Sequence, residues 1–340
     1  MNEMDLLQVF DRELAISYRD ELDPTQNVWY TSGAFVTDPR LQAFLRAGLQ
    51  GEVTLPYIGD LDANIEPNYS NTIFTDIAEP ETIGGGKSKA RIAYMNKGFR
   101  QSDMQTQLSG VEPNRLIVAR LAKHWEGIME RRAIATTYGL YNALKDAATK
   151  ADHIVDTGKT GFDVNAFIDA EALLPTVEQG KGVIVVSPHV HTAMRKQNLI
   201  ENVTTSANLP PVQFYNGRVV IVAQTDPKTK SNFTRVGKGA TAKNLTVICD
   251  NGAFAADIVA GNNDMATERT EATGNGGGHS TLWTRRNALI HPQGFSFTAT
   301  DEQLTGGTEV EALSASLTDL ANGAYWKLAG QSNIRFLVTA

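Results

Sequence analysis

Few groups in this chain have the type and spacing that chemistry needs, and each has a neighbourhood that argues against it. Gly84-Gly85-Gly86-Lys87-Ser88 ends like a phosphate-binding loop. Such a loop needs a glycine five residues before Gly86, where this chain has Glu81, and a buried strand in front, where it has Ala78-Glu79-Pro80-Glu81. An acidic side chain facing phosphate oxygens opposes binding, so the stretch reads as a loop tip. His189 and His191 offer two imidazoles, but two-residue spacing at a helix start points them apart, and no third metal ligand stands out. Cys249 ends the apolar strand Leu245-Thr246-Val247-Ile248-Cys249, which suits an inert buried thiol. Arg131-Arg132 and Arg285-Arg286 stand beside acidic or polar residues, which favours salt bridges between elements over phosphate contacts. Glu79 and Glu81 lie on a polar loop with nothing to bury them and raise a pKa. No serine sits in a Gly-x-Ser-x-Gly elbow. No catalytic, cofactor-binding or metal-binding residue is assigned, no cofactor is expected, and the chain reads as a protein that is not an enzyme.

The totals narrow the class. A chain of 340 residues is long enough for about two domains and a sizeable core. With 31 Lys+Arg against 38 Asp+Glu the formal net charge is −7, which disfavours a general grip on nucleic acid but not the enclosure of one. One cysteine allows no disulfide framework and no cysteine-built zinc site, and fits a reducing compartment. No apolar run nears the ~20 residues that span a bilayer. The opening Met1-Asn2-Glu3-Met4-Asp5 is acidic where a signal peptide is basic, so synthesis in a cytoplasm is expected.

One element organises the rest. From Pro113 to Thr149 no second proline interrupts a sequence rich in Ala, Leu, Arg, Lys and Glu, with Pro113 suited to a first helical turn. Gly127 and Gly139 weaken it. A helix of about 36 residues would run roughly 54 Å. Ile117, Leu121, Trp125 and Ile128 make one apolar stripe; Met129, Ala133, Leu140 and Leu144 make a second, rotated from the first. Two stripes at different heights predict a strut clasped by different elements along its length.

Around it, a short amphipathic helix is expected near Leu6–Tyr18, an extended run through Val28, Trp29, Tyr30, Phe35 and Val36, and a second helix near Pro39–Gly48. Val53–Ile58 and Ala90–Met95 read as strands flanking an excursion whose residues 59–90 hold only seven large apolar side chains. That is too few for a core of its own, and a two-stranded excursion needs another surface to lie on. Beyond the strut come a helix over Asp163–Gln179 ending near Pro175 or Gly180, a doubly buried strand at Val183–Val186, and a helix from Pro188 to Leu199. Asn216-Gly217 signals a hairpin, and strands follow at Leu245–Cys249 and Phe254–Val259. Residues 261–281 read as a mobile, glycine-rich loop. A helix near Ser316–Leu328 and a strand at Ile334–Val338 close the chain.

This order of parts resembles the major capsid protein of tailed bacteriophages, whose fold is shared with encapsulin shells. Glu112–Thr149 matches the spine helix and Leu55–Tyr94 the extended loop. Val183–Leu199 and the Tyr215–Val222 hairpin match the axial domain, and Asn287–Phe295 with Trp326 and Ile334–Val338 match the return strands. The resemblance implies an α+β fold with an N-terminal arm (1–48), an extended β-hairpin loop (49–105), a peripheral domain with a long spine helix (106–151), a compact α/β axial domain (152–282) and returning strands and helix (283–340). It also implies self-assembly into hexamers and pentamers of an icosahedral head around double-stranded DNA, without sequence-specific binding. The location would be the virion capsid, assembled in the host bacterial cytoplasm. A separate scaffolding protein, a portal protein and a decoration protein are the implied partners; no membrane is. Encapsulin-like shells around cargo enzymes are the alternative within that fold. An α/β enzyme is the alternative outside it, and predicts a deep pocket with converging polar groups.

Overall fold

The computed structural model describes residues 29, 32–37, 39–47, 51–58, 66–78, 80, 85–104, 113–175, 182–203, 212–223, 235–236, 243–306 and 314–340. The helix expected near Leu6–Tyr18, and Val28 and Tyr30, lie outside them. The described chain opens with β1 (Phe35–Val36), α1 (Pro39–Ala47), β2 (Glu52–Ile58), β3 (Gly85–Arg91) and β4 (Ala93–Ser102). The strut is α2 (Pro113–Leu144), 32 residues or about 48 Å. It stops five residues short of the expected end, where the chain tightens into a 3-10 turn at Ala148–Asp152. That turn delivers Ile154 to the core as the first residue of β5 (Ile154–Asp156).

The two stripes meet different partners. Leu121 and Trp125, with Ile128, pack against Met95, Phe99, Met265 and Leu282. Met129, Ala133, Leu140 and Leu144 enter the principal core with Val183, Val247, Phe254 and Phe336. Gly139 sits where the chain passes closest. A Cβ there would lie 2.0 Å from the Leu320 carbonyl oxygen and 2.7 Å from Trp326 Nε1. Nothing lies within 4 Å of such an atom at Gly127.

Next come α3 (Val164–Ala172), β6 (Val183–Val186), α4 (Pro188–Lys196), β7 (Glu201–Val203), β8 (Val212–Tyr215), β9 (Arg218–Val222), β10 (Arg235–Val236) and β11 (Lys243–Cys249). The rest is β12 (Phe254–Thr270), β13 (His279–Pro292), β14 (Phe295–Phe297), α5 (Leu317–Leu320), β15 (Trp326–Leu328) and β16 (Ile334–Thr339). The larger sheet has the order β5-β16-β11-β6-β9-β8-β7, with β10 beside β11. All four residues of β6 are fully buried. Val183 and Val185 face the principal core, while Ile184 and Val186 face Phe167 and Val190 of α3 and α4. Ser187 caps α4 by accepting from the Val190 N–H at 3.2 Å, ahead of Pro188. The β8–β9 hairpin turns on Asn216 and Gly217, both at positive φ, as an Asn-Gly turn requires. Helix α3 ends at Ala172, earlier than the expected 163–179, because Pro175 disfavours helical backbone just before it.

The smaller sheet has the order β1-β12-β13-β4 and is ruled by one long hairpin. β12 and β13 pair from Phe254↔Pro292 to Thr270↔His279, with an irregularity between Ala260 and Met265. Much of the stretch read as a loop over 261–281 is therefore strand, and only Glu271–Gly278 turns. Its alternation was masked by polar residues on the open face and by the break at the irregularity. At the tip Gly274, Asn275, Gly276 and Gly278 all take positive φ.

Two further expectations fail for physical reasons. The helix over Ser316–Leu328 is one turn, a 3-10 turn at Gly323–Tyr325, and then β15, which pairs with β14. Gly323 packs so tightly on α2 that a Cβ would lie 2.5 Å from the Asn142 carbonyl carbon, and Trp326 swings into the core against Phe297. The division at residue 282 does not follow the sheets either. β12 belongs with β13 and β4, and β16 sits inside the larger sheet between β11 and β5. Every β16 residue is buried, which only an interior position in that sheet provides.

Candidate self-association surface

The residues first weighed for chemistry are spent on structure. Gly85–Ser88 form β3, paired with β2 in register from Gly85↔Ile58 to Arg91↔Glu52, so their backbone does not form a phosphate cradle. Gly84, Glu79 and Glu81 lie outside the described residues. His191 Nε2 stands 2.7 Å from Gln213 Oε1, tying α4 to β8. Cys249 is fully buried, and burial pushes its thiol up to about 12. Arg132 is buried and donates to the Ala315 carbonyl at 3.0 Å, while Arg286 lies 3.8 Å from Asp264. Both thus join separate elements, as their neighbours suggested. Among the described residues no group of three or more His, Cys, Asp or Glu is placed to hold a metal.

Sequence reasoning missed an ion cluster. Arg218 is wholly buried; its Nε donates to Glu171 Oε1 at 2.9 Å and its Nη1 reaches Asp250 Oδ1 at 3.4 Å. Asn216 Nδ2 donates to the other Glu171 oxygen at 2.9 Å. The cluster locks α3 to β9 and to the end of β11. Its three charged members are 32 to 79 residues apart, and nothing in their local patterns links them.

What remains unsatisfied is surface. The β2–β3 ribbon is firmly held at its base. The Lys89 N–H donates to Ser296 Oγ at 3.0 Å, Arg91 pairs with Asp301, Lys89 Nζ lies 2.7 Å from Glu52, and the Tyr94 N–H donates to Ser314 Oγ at 2.9 Å. Beyond that base, every described residue of 66–78 is exposed. Phe74 is 100% exposed, Ile77 83%, Tyr69 75% and Ile73 61%. Leaving four large apolar side chains in water forgoes roughly 1.5–3 kcal/mol each, and their grouping on one short segment is unlike scattered surface apolars. The backbone under them is ordered by its own bonds: the Ile73 N–H donates to Asn71 Oδ1 at 2.9 Å, the Asp76 N–H to the Ile73 carbonyl at 3.1 Å, and Asn71 Nδ2 to Asp76.

A second open feature lies on the smaller sheet. Leu282, Phe99 and Met265 point to α2, so their neighbours Trp283, Gly98 and Ala266 point the other way. Trp283 lies across Gly98, where a Cβ would sit 2.8 Å from the ring, and its Nε1 donates to Glu268 Oε2 at 2.8 Å. The result is a cleft of about 480 Å³ lined by Asn96, Ala266, Thr267, Glu268, Trp283 and Arg285. It is a shallow notch on a sheet, unlike the deep pocket that an enzyme would show.

Comparison with known proteins gives this surface a context. Over 303 residues the chain is 26% identical to the major capsid protein of Bacillus phage SPP1, covering 88% of this chain and 86% of that one. This chain is similar to a phage capsid protein. No family model matches it. Solved structures similar to it include the head structure of Helicobacter pylori bacteriophage KHP40 (10% identity, 91% of this chain and 88% of that one, TM-score 0.48). The Cyanophage Pam1 capsid asymmetric unit is another (10% identity, 85% of each chain, TM-score 0.48). Against the capsid relative, an anchored ribbon with a bare apolar apex is what a subunit presents before its neighbours cover it.

Proposed function

We propose that this protein is the major capsid protein of a tailed phage, a structural and non-enzymatic subunit that self-assembles into an icosahedral head enclosing double-stranded DNA. The observation that carries this reading is the exposed apex at Tyr69, Ile73, Phe74 and Ile77, held on a ribbon whose base is fixed. The similarity to the SPP1 major capsid protein supports it. Copies would meet in hexamers and pentamers through the half built on the larger sheet. The half built on α2 and the smaller sheet would lie at the periphery of each ring. The ribbon of one copy then lies over the next, and contacts repeated around a closed shell add by multivalency. An acidic subunit neutralises few phosphates, so packaged DNA stays free to move. A scaffolding protein, a portal and a decoration protein are the expected partners, and the head assembles in the host cytoplasm.

The test is negative-stain microscopy of the purified protein, alone and with its scaffolding protein. Closed shells, or rings of five and six subunits, are the expected result, with DNA and not cargo enzymes in particles from infected cells. A subunit that stays monomeric with its scaffold overturns the reading.

A further inference from the structure

We propose that the cleft around Trp283 is the seat for the Asn71–Ile77 turn of a second copy of this chain. The inference rests on the shell reading above and adds the receiving site. Both halves are built before they meet. The turn is held by the Asn71, Ile73 and Asp76 hydrogen bonds while Phe74 projects wholly into solvent. The cleft exists because residue 98 is glycine: any side chain there would collide with the Trp283 ring, 2.8 Å from its Cβ. An ordered knob and an ordered hollow lose little conformational freedom on docking.

Charge points the same way. Residues 59–86 hold six acidic side chains (Asp60, Asp62, Glu66, Asp76, Glu79, Glu81) and no Lys, Arg or His. Arg285 lines the cleft, and Arg100 is exposed two positions along β4 from Gly98, on the same face. The single acid in the lining, Glu268, is occupied by the Trp283 indole N–H. Within one chain the turn is bare and the cleft is open, so the occupant is another copy. Phe74 enters the hollow beside Trp283, and Asp76 meets the arginines.

The test is crosslinking between two separately purified variants, Phe74→Cys and Asn96→Cys, assembled together with the scaffold where needed. Cys249 does not compete, being fully buried. A short bismaleimide is expected to give a covalent pair of twice the chain mass from the mixture and from neither variant alone. Ile168→Cys, exposed on α3 of the other half, is expected to give none with Phe74→Cys. Shells that form from the mixture without the Phe74–Asn96 product, or that crosslink equally through Ile168→Cys, overturn the docking and leave the shell reading standing. Failure of the unaltered chain to assemble with its scaffold removes the shell reading and this inference with it. As a second measure, Phe74→Ala should raise the concentration threshold for assembly by roughly tenfold or more. The circular dichroism of its unassembled subunit should stay unchanged, since Phe74 touches nothing within the chain. An unaltered threshold overturns the proposal.

Discussion

Two glycines in α2 allow the packing argument to be tested inside one helix. Helix propensity alone treats them alike: replacing an interior glycine by alanine should stabilise by about 0.5–1 kcal/mol at either site. The structure separates them. At Gly127 a Cβ meets nothing within 4 Å, so Gly127→Ala should keep the whole gain. At Gly139 the same atom would lie 2.0 Å from the Leu320 carbonyl oxygen and under 3 Å from two atoms of the Trp326 ring. Backbone cannot step aside there without losing the 2.8 Å bond from Trp326 Nε1 to that carbonyl. Overpacking costs about 1–3 kcal/mol and the lost bond about 1 kcal/mol more. Gly139→Ala should thus be net destabilising by about 1–3 kcal/mol, a sign opposite to Gly127→Ala. Urea unfolding of the unassembled subunit, followed by Trp fluorescence and circular dichroism, reads both midpoints. If both alanines stabilise equally, α2 does not pack on Leu320 as described and the account of Gly139 is wrong.

Three other outcomes follow from buried groups. Arg218→Met leaves Glu171 and Asp250 buried without their cation and should lower subunit stability by about 3–5 kcal/mol. Adding Glu171→Gln should restore part of that loss, and strict additivity in denaturant midpoints would sink the cluster as a unit. Burial lowers His291 from 6.5 to about 4, so the unfolded chain binds its proton first as pH falls. Stability should therefore decline between pH 6.5 and 4 by up to about 3 kcal/mol. Asp257, raised by burial, acts in the opposite sense, and His291→Gln should flatten the decline in acid unfolding curves. Cys249 should resist a thiol reagent at pH 8 in the native subunit and react once urea unfolds it; fast native labelling would contradict its burial.

What the sequence made legible was whatever depends on local order. The two stripes on α2, the Asn216-Gly217 turn, the Ser187 cap and the buried run Val183–Val186 are all local patterns, and all stand in the structure. The misread parts depend on distant partners. β12 and β13 escaped detection over 261–281 because one of their faces is open and polar, so the alternation that betrays a half-buried strand is faint. Trp326 looked helical by its neighbours, yet it sits in a strand because Gly139 leaves a space for its ring 187 residues earlier in the chain. The self-association surface was half legible. The scarcity of apolar residues in 59–90 showed that the excursion needs a surface, but the Trp283 cleft exists only once β4 and β13 are in register.

The placement of charge explains why such a chain can carry a sticky apex without aggregating. The formal net charge is −7, and the segment 59–86 alone contributes −6, leaving the remainder near neutrality at −1. Two unassembled copies meeting apex to apex would bring twelve carboxylates together around their exposed apolar side chains, and like charges brought that close repel. The same apex meeting the Trp283 face finds Arg285 and Arg100 instead. Apolar contact is indifferent to direction, so affinity alone would permit disordered clumping; the acids forbid the self-complementary encounter and leave the head-to-tail one. Head-to-tail contacts close into rings when the rotation between copies allows it. The composition of one bare segment thus selects the kind of symmetry that a closed shell requires.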